Sequence, residues 1–239
     1  MEDYVVNIFI FGVLSWSTLF MLARMVFPKR SFDFCNRIVS TIHAILAVFL
    51  ASQTIQDWTC PVCPLASTSS PSQMKILAVS GAYLMYDLGC CLLDKQHGLK
   101  LDNAVHHIVS IVGVCAGLSY KKCGSEMVAA MFITEMSSPF LHLRELLKEL
   151  GYKDTDLNLA ADIMFAGIFT FARMVGGPYL TYVTLYADNP LLIKAMAMGL
   201  QLVSAFWVYK IARMVMYKLS KRASTRKVPS SNPIAKNIE

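Results

Sequence analysis

Apolar residues in this chain come in long unbroken runs, and the charged residues gather at the breaks between them. Seven runs stand out: Tyr4–Phe27, Arg37–Ile55, Met74–Leu93, Asn103–Tyr120, Ser125–Leu147, Leu157–Tyr186 and Leu191–Tyr217. At ~1.5 Å of rise per residue, each is long enough to cross ~30 Å of hydrocarbon as a helix. Barrel strands would alternate polar and apolar positions over about ten residues, and these runs do not alternate. The pattern therefore predicts an all-α, multi-pass transmembrane helical bundle of about seven spans. The sixth run carries Gly176, Gly177 and Pro178, which can bend or break a helix. It reads as one kinked span, with a re-entrant pair as the alternative. No internal repeat and no soluble domain is apparent.

Composition agrees with that reading. Of 239 residues, 55% are hydrophobic and only 16% are charged, against about 25% charged in an ordinary soluble domain. The net charge of +6 gives no nucleic-acid signal, because the basic residues follow the breaks between spans. Arg24, Lys29, Arg30 and Arg37 fall in the first connection, Lys95 and Lys100 in the third, and Arg144, Lys148 and Lys153 in the fifth. Lys218, Lys221, Arg222, Arg226 and Lys227 fall in the tail, and the opposite side has only Lys75, Lys121, Lys122 and Lys194. The positive-inside rule then predicts a lumenal N-terminus and a cytosolic C-terminus. The chain opens Met1-Glu2-Asp3 and has no basic residue before Arg24, so the first run reads as a retained span and not as a cleaved signal peptide. The tail from Ala223 to Glu239, rich in Ser, Pro and Lys, is expected to be disordered.

Ionisable residues inside the spans are the candidates for function, since each is costly in hydrocarbon unless it faces the protein interior or a water-filled cavity. Counting from the cytosolic ends places His43, Asp87, His106, His107 and Asp162 within roughly 5–10 Å of that boundary, at ~1.5 Å per residue. Glu135 is deeper, near the middle of the fifth run, with His142 and Arg144 closer to the cytosol. Arg173 falls in the far half of the sixth. A shared layer of this kind suits a polar cavity open to the cytosol. On the fourth run, Asn103, His107 and Ser110 form one polar stripe, while His106 is turned about 100° away with Asp102 as its nearest polar neighbour.

Histidine can take up and release a proton near neutral pH, and a carboxylate such as Asp87 could orient it as a general base. Each candidate also has a structural reading. His43 could hydrogen-bond between helices, Asp87 could pair with a histidine, and Asp162 could sit at a helix start in a favourable dipole. Arg173 could satisfy carbonyls freed at the kink, or snorkel. No metal site and no cofactor is predicted. Adjacent histidines lack the i, i+4 spacing of a helical metal pair, and the seven cysteines show no four-ligand spacing. Cys60 and Cys63, in "CPVC", read as a small loop bridge or as two free thiols on the lumenal side.

The "YDL" at 86–88, the histidine pair, "TEMSSPFLHLR" at 134–144 and "FARMVGGPYLTY" at 171–182 resemble, in combination, the TLC domain. That family includes ceramide synthases, translocon-associated membrane proteins and small TLC domain-containing proteins. The resemblance runs from about His43 to Tyr217 and is strongest to the small members, including those of plants. It implies that six of the spans form a barrel around a lipid or acyl-chain cavity in the endoplasmic reticulum or another endomembrane. The chain then divides into a first helix and connection (1–36), the TLC domain (37–217) and a basic tail (218–239). The implied partners are membrane lipids and acyl-CoA, with no nucleic acid.

In ceramide synthases the paired histidines serve N-acylation of a sphingoid base, and carry-over puts His106 and His107 in that role; Asp87, as the carboxylate that could orient a histidine, completes the candidate catalytic set. The lipid-contacting set would be His43, Tyr86, Asn103, Ser110, Glu135, Asp162 and Arg173. The synthases place an aspartate a few residues after the pair, and here "IVSIVGVCAG" follows. This favours a lipid-binding protein contributing to membrane lipid homeostasis, with an acyl-CoA-dependent lipid N-acyltransferase as the alternative. A proton-coupled transporter would use the same polar layer, but there is no matching pair of broken helices to support it.

Overall fold

The computed structural model describes residues 3–55, 57–93 and 101–226. Lys95, Lys100 and the tail from Lys227 onward lie outside the described residues. Nine α-helices are described: α1 (Asp3–Val26), α2 (Phe32–Thr54), α3 (Pro71–Leu93), α4 (Leu101–Tyr120), α5 (Gly124–Glu135), α6 (Ser138–Glu149), α7 (Asp156–Phe171), α8 (Gly177–Tyr186) and α9 (Leu191–Arg226). A π-helical turn, Ala172–Gly176, joins α7 to α8 without a break. Among the described residues, six helical runs are long and apolar enough to cross a membrane, with Asp156–Tyr186 counted as one of them. The chain is a multi-pass helical membrane protein, and the sixth run is one continuous helical segment.

The starts of the helices are written in the sequence. Ser31 Oγ accepts the Phe34 N–H at the start of α2. Ahead of α3, Ser70 Oγ accepts the Gln73 N–H, and Gln73 Oε1 accepts the Ser70 N–H in return. This is a reciprocal capping box, with Pro71 at the first position, where a missing N–H costs nothing. Thr155 caps α7 in the same manner as Ser31.

The fifth run differs from the expectation of a single helix. It is interrupted at Met136–Ser137 and continues as α5 and α6, each of 12 residues. Pro139, in the first turn of α6, can donate no backbone hydrogen bond into the preceding turn. Irregular backbone at membrane depth is tolerated where it lines a cavity, and Glu135, Ser137 and Ser138 at this break all line one.

Six walls close on themselves. α2 packs on α3, α3 on α4, α4 on α9, α9 on α8, and the α7–α8 segment meets the α5–α6 segment, which returns to α2. α1 lies outside the ring against α3 and α2. Its approach is close: a Cβ on Gly12 would stand 2.7 Å from the Ala82 Cβ, so a glycine is needed for these two backbones to meet. Outward faces are apolar, with Phe11, Leu14, Met21 and Met25 exposed on α1. Many of the polar side chains, His43, Asp87, His107 and Arg173 among them, are buried in the interior, as expected of a bundle solvated by lipid.

The two ends of the ring are tied separately. At one end, Arg30 Nη1 donates to the Glu149 carbonyl (3.3 Å) and Ser31 Oγ to the Glu149 carboxylate (2.6 Å). At the other, Ser69 N–H donates to the Lys121 carbonyl and Cys123 N–H to the Ser67 carbonyl, both at 2.9 Å. In that same loop Cys60 and Cys63 are disulfide-bonded, as one of the two readings of "CPVC" held. Beside them the Thr59 hydroxyl and N–H hold the Asp57 carboxyl below the ordinary carboxylate range.

Candidate functional site

Within the ring lie two adjoining cavities. The larger, about 670 Å³, is edged by polar side chains, among them Asn36, Asp87, Asn103, His106, His107 and Glu135. The smaller, about 140 Å³, has mainly apolar walls, including Leu77, Val114, Met131, Leu180 and Leu200. His106, Glu135 and Arg173 line both, together with Leu84, so the three form a polar waist between a polar chamber and an apolar arm.

The centre of the larger chamber is built where α3 meets α4. His107 Nε2 stands 3.1 Å from Asp87 Oδ2. The other Asp87 oxygen accepts from Asn36 Nδ2 at 2.7 Å, and the Tyr86 hydroxyl donates to Asn36 Oδ1, also at 2.7 Å. A chain of four residues from three helices therefore fixes the Asp87 carboxylate. The Cys91 thiol, one turn beyond Asp87, lies within 4.8 Å of the facing Asp87 and His107 atoms. The charge of an intramembrane carboxylate is costly unless paired and hydrogen-bonded, and this carboxylate is both.

The two histidines part as the helix geometry requires, yet both reach the chamber. Asn103 and His107 edge the larger cavity, and Ser110 edges the apolar arm. The neighbour expected for His106, Asp102, is engaged elsewhere: it accepts from Trp207 Nε1 (3.2 Å) and Lys210 Nζ (2.7 Å). His106 packs against the Trp207 ring instead, at 4.9 Å between centroids.

Arg173 is not set apart from the layer. Its Nη1 donates to Ser204 Oγ (2.9 Å) and its Nη2 to the Thr134 carbonyl (3.1 Å), beside Glu135. Both Glu135 and Arg173 fall near the midpoint of their own helical runs, so they meet at one depth. The Arg173 carbonyl, at the π-turn, accepts from Gln201 Nε2 at 3.2 Å. The guanidinium thus bridges to α5 and α9, while a side chain from α9 satisfies the backbone at the π-turn. Glu135 and Ser138 flank the α5–α6 break, and both line the larger cavity.

Two expected contacts, Asp162 and Tyr86, line neither cavity, and a third, His43, lines only the apolar arm. Asp162 lines neither cavity: its Oδ1 pairs with Arg144 Nε at 2.9 Å, tying α7 to α6. His43 faces the apolar arm, stacked on Tyr83 at 3.6 Å and with Nε2 3.3 Å from Ser80 Oγ. Tyr86 is buried behind Asp87 and acts through Asn36. Depth counting could not foresee these outcomes, because rotation about each helix axis decides them. The sequence reading also passed over Asn36, Cys91, Trp207 and Gln201. The i, i+4 spacing of Asp87 and Cys91 was a signal available in the sequence for one of them.

A TLC domain family model matches residues 26–213. TLC domain-containing protein 4 A of Dictyostelium discoideum is 24% identical over 216 residues, covering 84% of this chain and 81% of that protein. With the family model extending over most of its length, from the end of the first helix to α9, the chain belongs to the TLC domain family.

Proposed function

We propose that this protein takes the acyl chain of a membrane lipid into the apolar arm and holds the lipid's polar group at the waist of His106, Glu135 and Arg173, and that it contributes in this way to membrane lipid homeostasis. The observation that carries the reading is the pair of adjoining cavities, one polar and one apolar, sharing those three residues. A lipid is amphipathic along its length, and a site of two such chambers complements it. Arg173 offers a fixed cation, while Glu135 and His106 offer acceptors to a hydroxyl or amine. The basic residues of the first and fifth connections support an orientation with the C-terminus cytosolic, in the endoplasmic reticulum or a related endomembrane.

The test is to purify the full chain in mild detergent and quantify lipid carried with it by mass spectrometry. Arg173→Ala and Ala130→Trp, which removes the waist cation or fills the arm, should each reduce bound lipid several-fold. Equal lipid on all three proteins would refute the reading.

A second reading, acyl transfer from acyl-CoA, is favoured by one observation, the His107–Asp87 pair facing the larger chamber. His107 would take the proton of an acceptor amine or hydroxyl as that group attacks the thioester carbonyl. The carbon–sulfur bond would then break, and the proton would pass to the departing thiolate. Incubation with labelled acyl-CoA and a mixed lipid extract, alongside His106→Ala and His107→Ala, decides it. Transfer lost in both variants supports the enzyme, and no transfer to any acceptor removes it.

A further inference from the structure

Three donors of different chemistry converge at the wall of the larger chamber. Asp87 and Cys91 are four residues apart on α3 and share a face, and His107 on α4 stands opposite. One ligand atom from each lies within 4.8 Å of the other two, and His107 Nε2 and Asp87 Oδ2 are 3.1 Å apart. We propose that Asp87, Cys91 and His107 form a site for a divalent transition-metal ion of the zinc class, with its remaining position open to the chamber.

Zinc takes thiolate, imidazole and carboxylate at about 2.0–2.3 Å in a tetrahedron, so donors already grouped this closely close on an ion by small side-chain movements. Three protein ligands with an open fourth position is the arrangement of a reactive zinc site, not a purely structural one. All three residues line the chamber, so a water or a lipid headgroup can take that fourth place.

Charge supports the same ion class. A thiolate, a carboxylate and a neutral imidazole carry two negative charges, and a divalent cation brings the cluster to neutrality. Within a membrane, neutrality is the condition under which such groups are cheapest to bury. The thiol and imidazole select a borderline-soft metal over magnesium or calcium, which prefer oxygen-only shells. On loading, the Cys91 thiol proton leaves and the hydrogen between His107 Nε2 and Asp87 gives way to the ion.

The carboxylate is also held as a metal ligand would be. Asn36 Nδ2 fixes Asp87 Oδ1 at 2.7 Å and leaves Oδ2 presented to His107, and the Tyr86 hydroxyl fixes Asn36 in turn. Such outer partners orient a ligand set, and losing one typically weakens metal affinity by about 10–100-fold.

The test uses the full chain, free of any affinity tag, in detergent, titrated with Co²⁺ alone and followed by absorption. Elemental analysis of the protein as purified accompanies it. One metal per chain is expected, with a thiolate-to-cobalt charge-transfer band in the near ultraviolet. Cys91→Ser should abolish that band, and Cys90→Ser, at the buried neighbour, should leave it. Asn36→Ala should keep the band but weaken binding by about 10–100-fold. If Cys91→Ser does not elute as a monodisperse protein, Cys91→Asp serves, and should bind cobalt without the band. A band that survives loss of Cys91, or cobalt uptake far below one per chain in the unaltered protein, would overturn the proposal. These readouts register metal and not lipid, so they stand or fall apart from the lipid-binding reading.

Discussion

Asp87 is the residue on which the polar chamber depends. Its carboxylate meets His107 on one oxygen and Asn36 on the other. Replacing it with alanine leaves the buried His107 without its carboxylate and the half-buried Asn36 amide without its acceptor, and breaking a buried pair in this one-sided way costs about 3–5 kcal/mol. We expect Asp87→Ala to lower the unfolding midpoint in detergent markedly, and Asp87→Asn, which retains the Asn36 contact, to lower it less. Equal effects of the two would mean that Asn36 contributes nothing to holding the side chain. Outside the membrane, Asp57 provides a pH readout. Its depressed carboxyl contributes stability above its ordinary titration range, and that contribution is lost as pH falls through the lowered value. Thr59→Ala, which removes the hydroxyl and keeps the backbone N–H, should move the Asp57 titration part of the way back to the ordinary range, as followed by NMR of the loop.

At the scale of elements, the two irregular helices shape the site. The break between α5 and α6 sets Glu135 and Ser138 at the chamber, and the π-turn of 172–176 presents Arg173 with its carbonyl bonded by Gln201. Gln201→Ala strands that carbonyl, which costs roughly 1–3 kcal/mol for a buried unsatisfied group. The expected result is a lower thermal midpoint together with reduced lipid retention, and an unchanged midpoint would show that the π-turn needs no such support. The capping box ahead of α3 gives a second prediction. Ser70→Ala should cost about 0.5–2 kcal/mol, measured by the same unfolding. Helix positions, their starts and the single continuous sixth run could be read from the sequence, because runs of about 20 apolar residues and cap residues are local signals. The interruption at Met136–Ser137 was less legible, since Pro139 near a helix start and Pro139 within a helix look alike in one dimension.

At the scale of the molecule, the layer of ionisable residues was legible as depth and not as direction. His106, His107 and Asp87 meet in one chamber together with Glu135, which depth counting placed deeper, whereas Asp162 turns to Arg144 and His43 to Ser80 and Tyr83. Which way a helix faces follows from packing around the whole ring, and no run of residues encodes that alone. Gly12 against Ala82 is one place where this packing can be probed. Gly12→Leu should part α1 from α3, cost about 1–3 kcal/mol by overpacking, and leave the closed ring of α2–α9 able to retain lipid. Loss of lipid together with that stability would instead make α1 part of the cavity wall.

The claim that an acyl chain enters the ring is tested most directly by crosslinking. The purified protein is equilibrated with a phospholipid carrying a diazirine on its acyl chain, irradiated, and mapped by mass spectrometry. The account predicts labels on Met127, Met131 and Leu200, lining the apolar arm, and their disappearance in Ala130→Trp. Labels confined to outward residues such as Phe11, Leu14 and Met21, unaffected by filling the arm, would contradict it.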